Sequence, residues 1–294
     1  MSAKTPMNDF AVFILTHGRA DRVFTHNTLR KQGYDGKIYI VVDDTDSQIP
    51  DYKERYGDSV VVFPKKDAIE MTDAGDNQNK HAAVVYARNY AFEVAKQVGV
   101  TYFLVLDDDY TDFRFAFDHE MQYITKQGRI KNLNETFRYC LDFFIASGAT
   151  SLAMAQGGDF IGGEGSKVAT CYLRNELSRK AMNSFFCSVN RPFKFVGRIN
   201  EDVNTYVEMG LRGYLFITLA PLRIQQKPTQ SNAGGLTDIY LDLGTYVKSF
   251  YSVMYAPSCV TVGEMGVFDR RLHHKIKWKN AVPMVIDECH KKKV

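Results

Sequence analysis

The chain has 294 residues, 45% hydrophobic and 24% charged, enough apolar material for a sizeable core without disulfide or metal staples. A formal net charge of +3 is too small to announce a polyanion-binding protein, and no apolar run approaches the ~18 residues that a membrane-spanning helix needs. The five cysteines, Cys140, Cys171, Cys187, Cys259 and Cys289, include no Cys-x-x-Cys pair, which argues against a disulfide framework or structural zinc and for a reducing cytoplasm.

Met1 to Asp9 lacks the apolar segment of a secretory signal. Phe10–Leu15 is then a continuous apolar run stopping at Thr16-His17-Gly18-Arg19, the pattern of a parallel strand buried on both faces. Asp21 to Lys31 reads as a helix with Val23, Phe24 and Leu29 as its apolar contacts. Lys37–Val42 is a second strand ending in Asp43-Asp44, and Val60–Phe63 a third. From Asn79 to Val98, residues Val84, Ala87, Ala91, Val94, Ala95 and Val98 recur at helical spacing, with Gly99 as the stop. Thr101–Leu106 is the fourth strand and runs straight into Asp107.

The second half is less regular. It predicts a helix over Leu133 to Ser147, a glycine-rich loop from Gly157 to Gly165, and a helix over Glu201 to Met209. A strand over Tyr214 to Leu219 and a polar loop over Gln225 to Thr237 follow. The alternation of strands and helices predicts an α/β fold with a mainly parallel, doubly wound sheet. Ligands bind such sheets beyond the carboxyl ends of the strands, where residues 16–19, 43–44 and 107–109 all fall. With no repeat and no linker, the chain reads as one domain over 1–294: a nucleotide-binding half over 1–110, and an acceptor half with a basic C-terminal region over 111–294.

Asp107-Asp108-Asp109 carries the most chemistry. Three adjacent acids repel one another, and a divalent cation such as Mg²⁺ or Mn²⁺ relieves the repulsion through carboxylate and phosphate oxygens. In an extended segment Asp107 and Asp109 point the same way and hold the metal, with Asp108 on the nucleotide's side. Arg88, in the preceding helix, suits bidentate phosphate binding. Thr16, His17, Gly18 and Arg19 combine close backbone approach with a cation.

Glu201-Asp202 supplies a carboxylate base for an acceptor hydroxyl, Asp202 first and Glu201 second; the alternative is a pair of acids complementing a helix dipole. His273 and His274 read either as metal ligands or as a surface pair, with Lys275 as a pyrophosphate contact. The closing His290-Lys291-Lys292-Lys293 reads as a solvated, partly frayed end. The Gly157–Gly165 segment lacks the Gly-Lys-Ser/Thr ending of a phosphate loop, and the first strand turn is not Gly-x-Gly-x-x-Gly.

An Asp-x-Asp element after a buried strand, Ala87-Arg88-Asn89 before it and Asn200-Glu201-Asp202 after it resemble the GT-A glycosyltransferases. Phe13-Ile-Leu-Thr-His-Gly-Arg-Ala-Asp21 with Tyr39-Ile-Val-Val-Asp-Asp44 is similar to the TET-associated glycosyltransferases of bacteriophages. That resemblance implies a GT-A fold with a Rossmann-like nucleotide-binding half, a UDP-sugar donor and Mn²⁺ or Mg²⁺. It implies uridine against Thr16–Arg19, with Asp43 or Asp44 near the base or ribose. It also implies transfer to a hydroxylated or hydroxymethylated pyrimidine of phage DNA in the host cytoplasm. Trp278 among Lys275, Lys277 and Lys279 suits such an acceptor, since bases stack on aromatics. The rival readings are a nucleotidyltransferase of similar fold and a non-catalytic DNA-binding accessory protein.

Overall fold

The structure, a computed structural model, describes residues 6–78, 81–124, 128–156, 181–226, 244, 246–265, 270–283 and 285–291. The N-terminal half contains β1 (Phe10–Leu15), α1 (Phe24–Lys31), β2 (Lys37–Asp43), α2 (Ile49–Tyr56), β3 (Val60–Phe63), α3 (Lys65–Glu70), α4 (Val84–Gln97) and β4 (Tyr102–Asp107). There follow β5 (Tyr110–Phe115), α5 (Leu133–Ser147), β6 (Ser151–Gln156), β7 (Ser184–Ser188), α6 (Glu201–Leu211) and β8 (Phe216–Gln226). The chain continues with α7 (Val247–Tyr255), β9 (Val260–Met265), β10 (Arg271–Ile276) and α8 (Trp278–Ala281).

Eight strands form one sheet in the order β3-β2-β1-β4-β7-β6-β8-β5. The first four are mutually parallel, as their apolar runs predict, and β6 and β8 run the same way. Strands β7 and β5 run against them, so the sheet is mainly parallel with two reversed strands. A separate hairpin pairs β9 with β10.

Strand β1 explains why the sheet is central. All six of its residues are buried, and alternate side chains enter two different cores. Ala11, Phe13 and Leu15 join the core under α4 and α6, where Phe13 stacks on Phe103 at 5.1 Å between centroids. Phe10, Val12 and Ile14 join the core under α5, where Phe10 stacks on Phe186 at 5.9 Å. Helix α5 spans its expected bounds because both ends are marked: Asn132 Oδ1 accepts from Glu135 N at 3.1 Å, and Gly148 ends it with φ 66°.

Several boundaries differ from expectation for local reasons. Helix α1 begins at Phe24 because Arg22 N and Phe24 N close turns onto Arg19 O and Arg22 O, each at 2.9 Å. Helix α4 begins at Val84, not Asn79: residues 81–83 before it are irregular, and Asp76 is held by Arg198 at 2.9 Å. Strand β8 runs on to Gln226 because it pairs with both β6 and β5. His290 is not frayed, since its Nδ1 lies 2.8 Å from Gly148 O and its Nε2 accepts from Leu215 N at 3.2 Å. The glycine-rich 157–165 segment, residues 227–237 of the polar loop, Cys171 and Lys292-Lys293 lie outside the described residues. Among the described residues, no helix is long and apolar enough to cross a membrane.

Candidate active site

Strands β1, β2 and β4 end side by side, and the polar residues after each form one continuous network. Thr16 Oγ1 donates to Asp108 Oδ2 at 2.7 Å, and Arg19 Nη1 reaches Asp108 Oδ1 at 3.1 Å, so the β1 loop holds the middle acid of the β4 turn. His17 Nδ1 lies 2.8 Å from Asp43 Oδ2 at the end of β2. The 16–20 loop is tethered in turn by a segment whose role is invisible in the sequence. Gly18 N donates to Asp46 at 2.7 Å, Arg19 N to Tyr52 Oη at 2.8 Å and Ala20 N to Gln48 Oε1 at 2.8 Å. Gly18 sits at φ 65°, a left-handed conformation that glycine adopts without a Cβ penalty.

The acid cluster is not extended. Strand β4 stops at Asp107, Asp108-Asp109 form a turn, and β5 starts at Tyr110. Thr25, at the start of α1, imposes the turn. Its Oγ1 donates to Asp107 O at 2.6 Å and accepts from Tyr110 N at 2.9 Å, while its N donates to Asp108 O at 3.1 Å. Asp108 is therefore 4% exposed and committed to Thr16 and Arg19, whereas Asp107 and Asp109 remain partly accessible.

Arg88 does not present its guanidinium to solvent. It is 1% exposed, with Nη1 on Glu201 and Nη2 on Asp107 at 3.2 Å, between the rings of Phe185 and Phe195. The expected phosphate ligand is instead a bridge between the β4 turn and α6. Glu201 is consumed by that bridge and buried, which leaves Asp202, half-buried at the same helix start, as the more accessible carboxylate. Asn200, at φ 55°, donates through Nδ2 to Lys248 O at 2.7 Å and lies 3.3 Å from His274 Nδ1. His274 thus adjoins the network, and its ring is tilted 31° against that of His273 at 4.2 Å. Lys275 is exposed on β10 with its stem over Gly263.

The electrostatics separate the acids. Burial raises the Asp43 carboxyl, but the hydrogen bonds of His17 and Thr45 and the nearby Lys65 outweigh it and hold Asp43 well below the usual range. The same bond to Asp43 raises His17. Asp44 accepts from Lys65 N at 3.0 Å and so serves the start of α3. Burial, then Asp107 and Asp108, push Asp109 up to about 7. Burial also raises Glu201 against the pull of Arg88.

These residues fit a divalent cation in one particular way. Among the described residues no three of His, Cys, Asp and Glu come together as a ready metal cage, and His273 and His274 do not join Asp107 and Asp109 in one. Two partly accessible carboxylates on a turn with excess negative charge suit Mg²⁺ or Mn²⁺, which complete their shells with waters and substrate phosphates. Trp278 is a correction of another kind: its ring stacks on Tyr206 at 5.9 Å and 4° and packs against the core, so that face cannot receive a base.

The family described as TET-Associated Glycosyltransferase matches residues 10–235. No curated protein matches the chain. Among solved structures, the chain is similar to glucosyl-3-phosphoglycerate synthase from Mycobacterium tuberculosis in complex with Mg²⁺ and uridine-diphosphate. That match has 12% identity, 91% of this chain and 87% of the other covered, and TM-score 0.43. The same enzyme with Mn²⁺, UDP-glucose and phosphoglyceric acid gives 11% identity, 92% and 90% coverage and TM-score 0.41. S. aureus TarS 1-349 gives 20% identity, 50% and 35% coverage and TM-score 0.29.

Proposed function

The chain belongs to the TET-associated glycosyltransferase family, and from that premise we propose that it moves a sugar from a UDP-sugar to a hydroxyl on a hydroxylated or hydroxymethylated pyrimidine of DNA. Glycosyl transfer follows from the membership itself. The DNA acceptor is supported by the family's association with TET enzymes, and a place of action in a host cytoplasm follows from that acceptor. The whole chain acts as one catalytic domain. The observation that carries the donor half of the reading is the Thr25-stapled acid turn, facing the β1 loop and the start of α6.

Asp107 and Asp109 hold a divalent cation in this reading, and the ion, when bound, supplies neutralisation of the diphosphate leaving group. Thr16, His17, Gly18 and Arg19 border the nucleoside, with Asp43 and Asp44 beyond them; Asp108 keeps Arg19 and Thr16 in place. Arg88 fixes the distance between the acid turn and α6. Asp202 takes the proton of the acceptor hydroxyl as that oxygen bonds to the anomeric carbon and the bond to the β-phosphate oxygen breaks. His274, 3.3 Å from Asn200 Nδ2, brings the strand that carries His273 and Lys275 beside the start of α6.

The test is calorimetry with UDP with and without Mn²⁺, followed by UDP-sugar transfer to DNA carrying 5-hydroxymethylcytosine. Metal-dependent UDP binding that Asp109→Ala abolishes, with transfer releasing UDP, is the expected result. UDP binding indifferent to metal overturns the metal assignment, and transfer confined to non-DNA hydroxyls overturns the acceptor.

A further inference from the structure

Among the described residues, large apolar side chains face solvent at several places, three of which form clusters on or beside helices. Tyr139 and Phe143 lie on α5, which covers the sheet face opposite to α6. Leu211, Val282, Val285 and Ile286 line a hollow of ≈ 680 Å³ at the end of α6 remote from Glu201. The third group is Tyr246, just before α7, with Phe250 and Met254 on it, exposed by 54%, 49% and 53%. Their spacing of four residues aligns them in one stripe along the helix.

Of these clusters, the third adjoins the candidate active site. Asn200, the residue before Glu201 and Asp202, donates to Lys248 O at 2.7 Å and to Ser252 Oγ at 3.3 Å on the inner side of α7. Tyr251 Oη donates to Asp76, and Tyr255 Oη donates to Asp73 O at 3.3 Å. The inner side of α7 is thus fastened to the start of α6 and to the 73–78 loop, and its outer side carries the aromatic stripe.

The geometry points to this stripe as the track on which the DNA acceptor lies, Tyr246 and Phe250 stacking on bases beside the target pyrimidine. The inference rests on the DNA reading above. Composition and charge choose the occupant. Two of the three side chains are aromatic, and a base offers a flat face to each. The β9–β10 hairpin packed on the same helix is basic: residues 260–279 hold Arg270, Arg271, Lys275, Lys277 and Lys279 against Glu264 and Asp269. Arg271, Lys275 and Lys277 are exposed there, as cations that track a phosphate backbone must be. Trp278, the aromatic that the sequence offers for this role, is stacked on Tyr206, and Tyr246 and Phe250 take its place.

The probe is a fluorescein-labelled single strand of roughly 12 nucleotides containing one 5-hydroxymethylcytosine, followed by anisotropy. Tyr246→Ala with Phe250→Ala is expected to weaken binding by roughly tenfold or more while UDP binding with Mn²⁺ stays unchanged; Phe250→Tyr retains affinity. Wild-type affinity in the double variant overturns the track and leaves the DNA reading standing. A wild-type protein that binds UDP with Mn²⁺ but not the strand overturns both the track and the DNA acceptor, and a double variant that loses metal-dependent UDP binding together with the strand overturns the track, the stripe then serving the integrity of the site. If sedimentation shows the double alanine variant converting a dimer to a monomer with strand affinity unchanged, the stripe is a contact between copies of this chain, and the inference fails.

Discussion

Two acidic strand ends flank that of β1 in this molecule and are treated in opposite ways. At the end of β2, Asp43 is met by His17, Thr45 and Lys65, and its carboxyl is held low. At the end of β4, Asp107 shares Arg88 with Glu201, Asp108 takes Arg19, and Asp109 is pushed up to about 7 by burial and its two acidic neighbours. The protein supplies its own counter-charges at the first end and leaves the second short of them. Acids that look alike in sequence therefore divide into a set whose charge is matched by the protein and a set whose charge is not.

The largest effect expected from breaking this contrast is at the deficient end. Asp109→Ala should cut kcat/KM for sugar transfer by about 10³-fold, corresponding to several kcal/mol of lost charge stabilisation, with the thermal midpoint not lowered. Steady-state kinetics beside a melting curve checks both halves. Next comes the bridge between the two acid groups of the site. Arg88→Ala strands Glu201 and Asp107 without their cation and should cost about 3–5 kcal/mol in urea unfolding, since a buried pair broken on one side leaves an uncompensated charge.

At the self-sufficient end the effect is smaller and depends on pH. Asp43→Asn should lose about 1–2 kcal/mol at pH 7. Because Asp43 titrates lower folded than unfolded, its contribution is present above about pH 4 and fades as pH falls through the folded value. Urea midpoints of wild type and variant should therefore converge in acid, and a gap that widens there would refute the assignment. Smallest is Gly18→Ala, where a Cβ meets nothing within 4 Å and only the left-handed backbone is penalised, by about 1 kcal/mol. A loss of several kcal/mol would show that the loop depends on more than its turn.

The first four strands, α5 and the convergence of three polar strand ends are legible in the sequence because each depends on a local pattern: an apolar run, a cap, an acid cluster after a strand. What escapes is set by distant partners. Arg88 reads as a phosphate ligand until Glu201, 113 residues away, claims it. Asp108 and Asp109 read as a continued strand because nothing nearby announces Thr25, 82 residues before the carbonyl it binds. Asp46 and Tyr52 carry no signal in an ordinary polar segment, yet they hold Gly18 and Arg19. Trp278 turns inward because Tyr206 offers it a stacking surface.

Thr25 has a consequence for the timing of order in this molecule. One hydroxyl and one amide of α1 satisfy Asp107 O, Tyr110 N and Asp108 O, so the acid turn is set as soon as α1 docks on the sheet. In the donor-binding reading proposed above, a ligand arriving there meets a finished mould and has little chain to freeze. Its association should carry a small conformational-entropy penalty, and Thr25→Val, which preserves the shape but removes the hydroxyl, should shift that penalty from folding to binding.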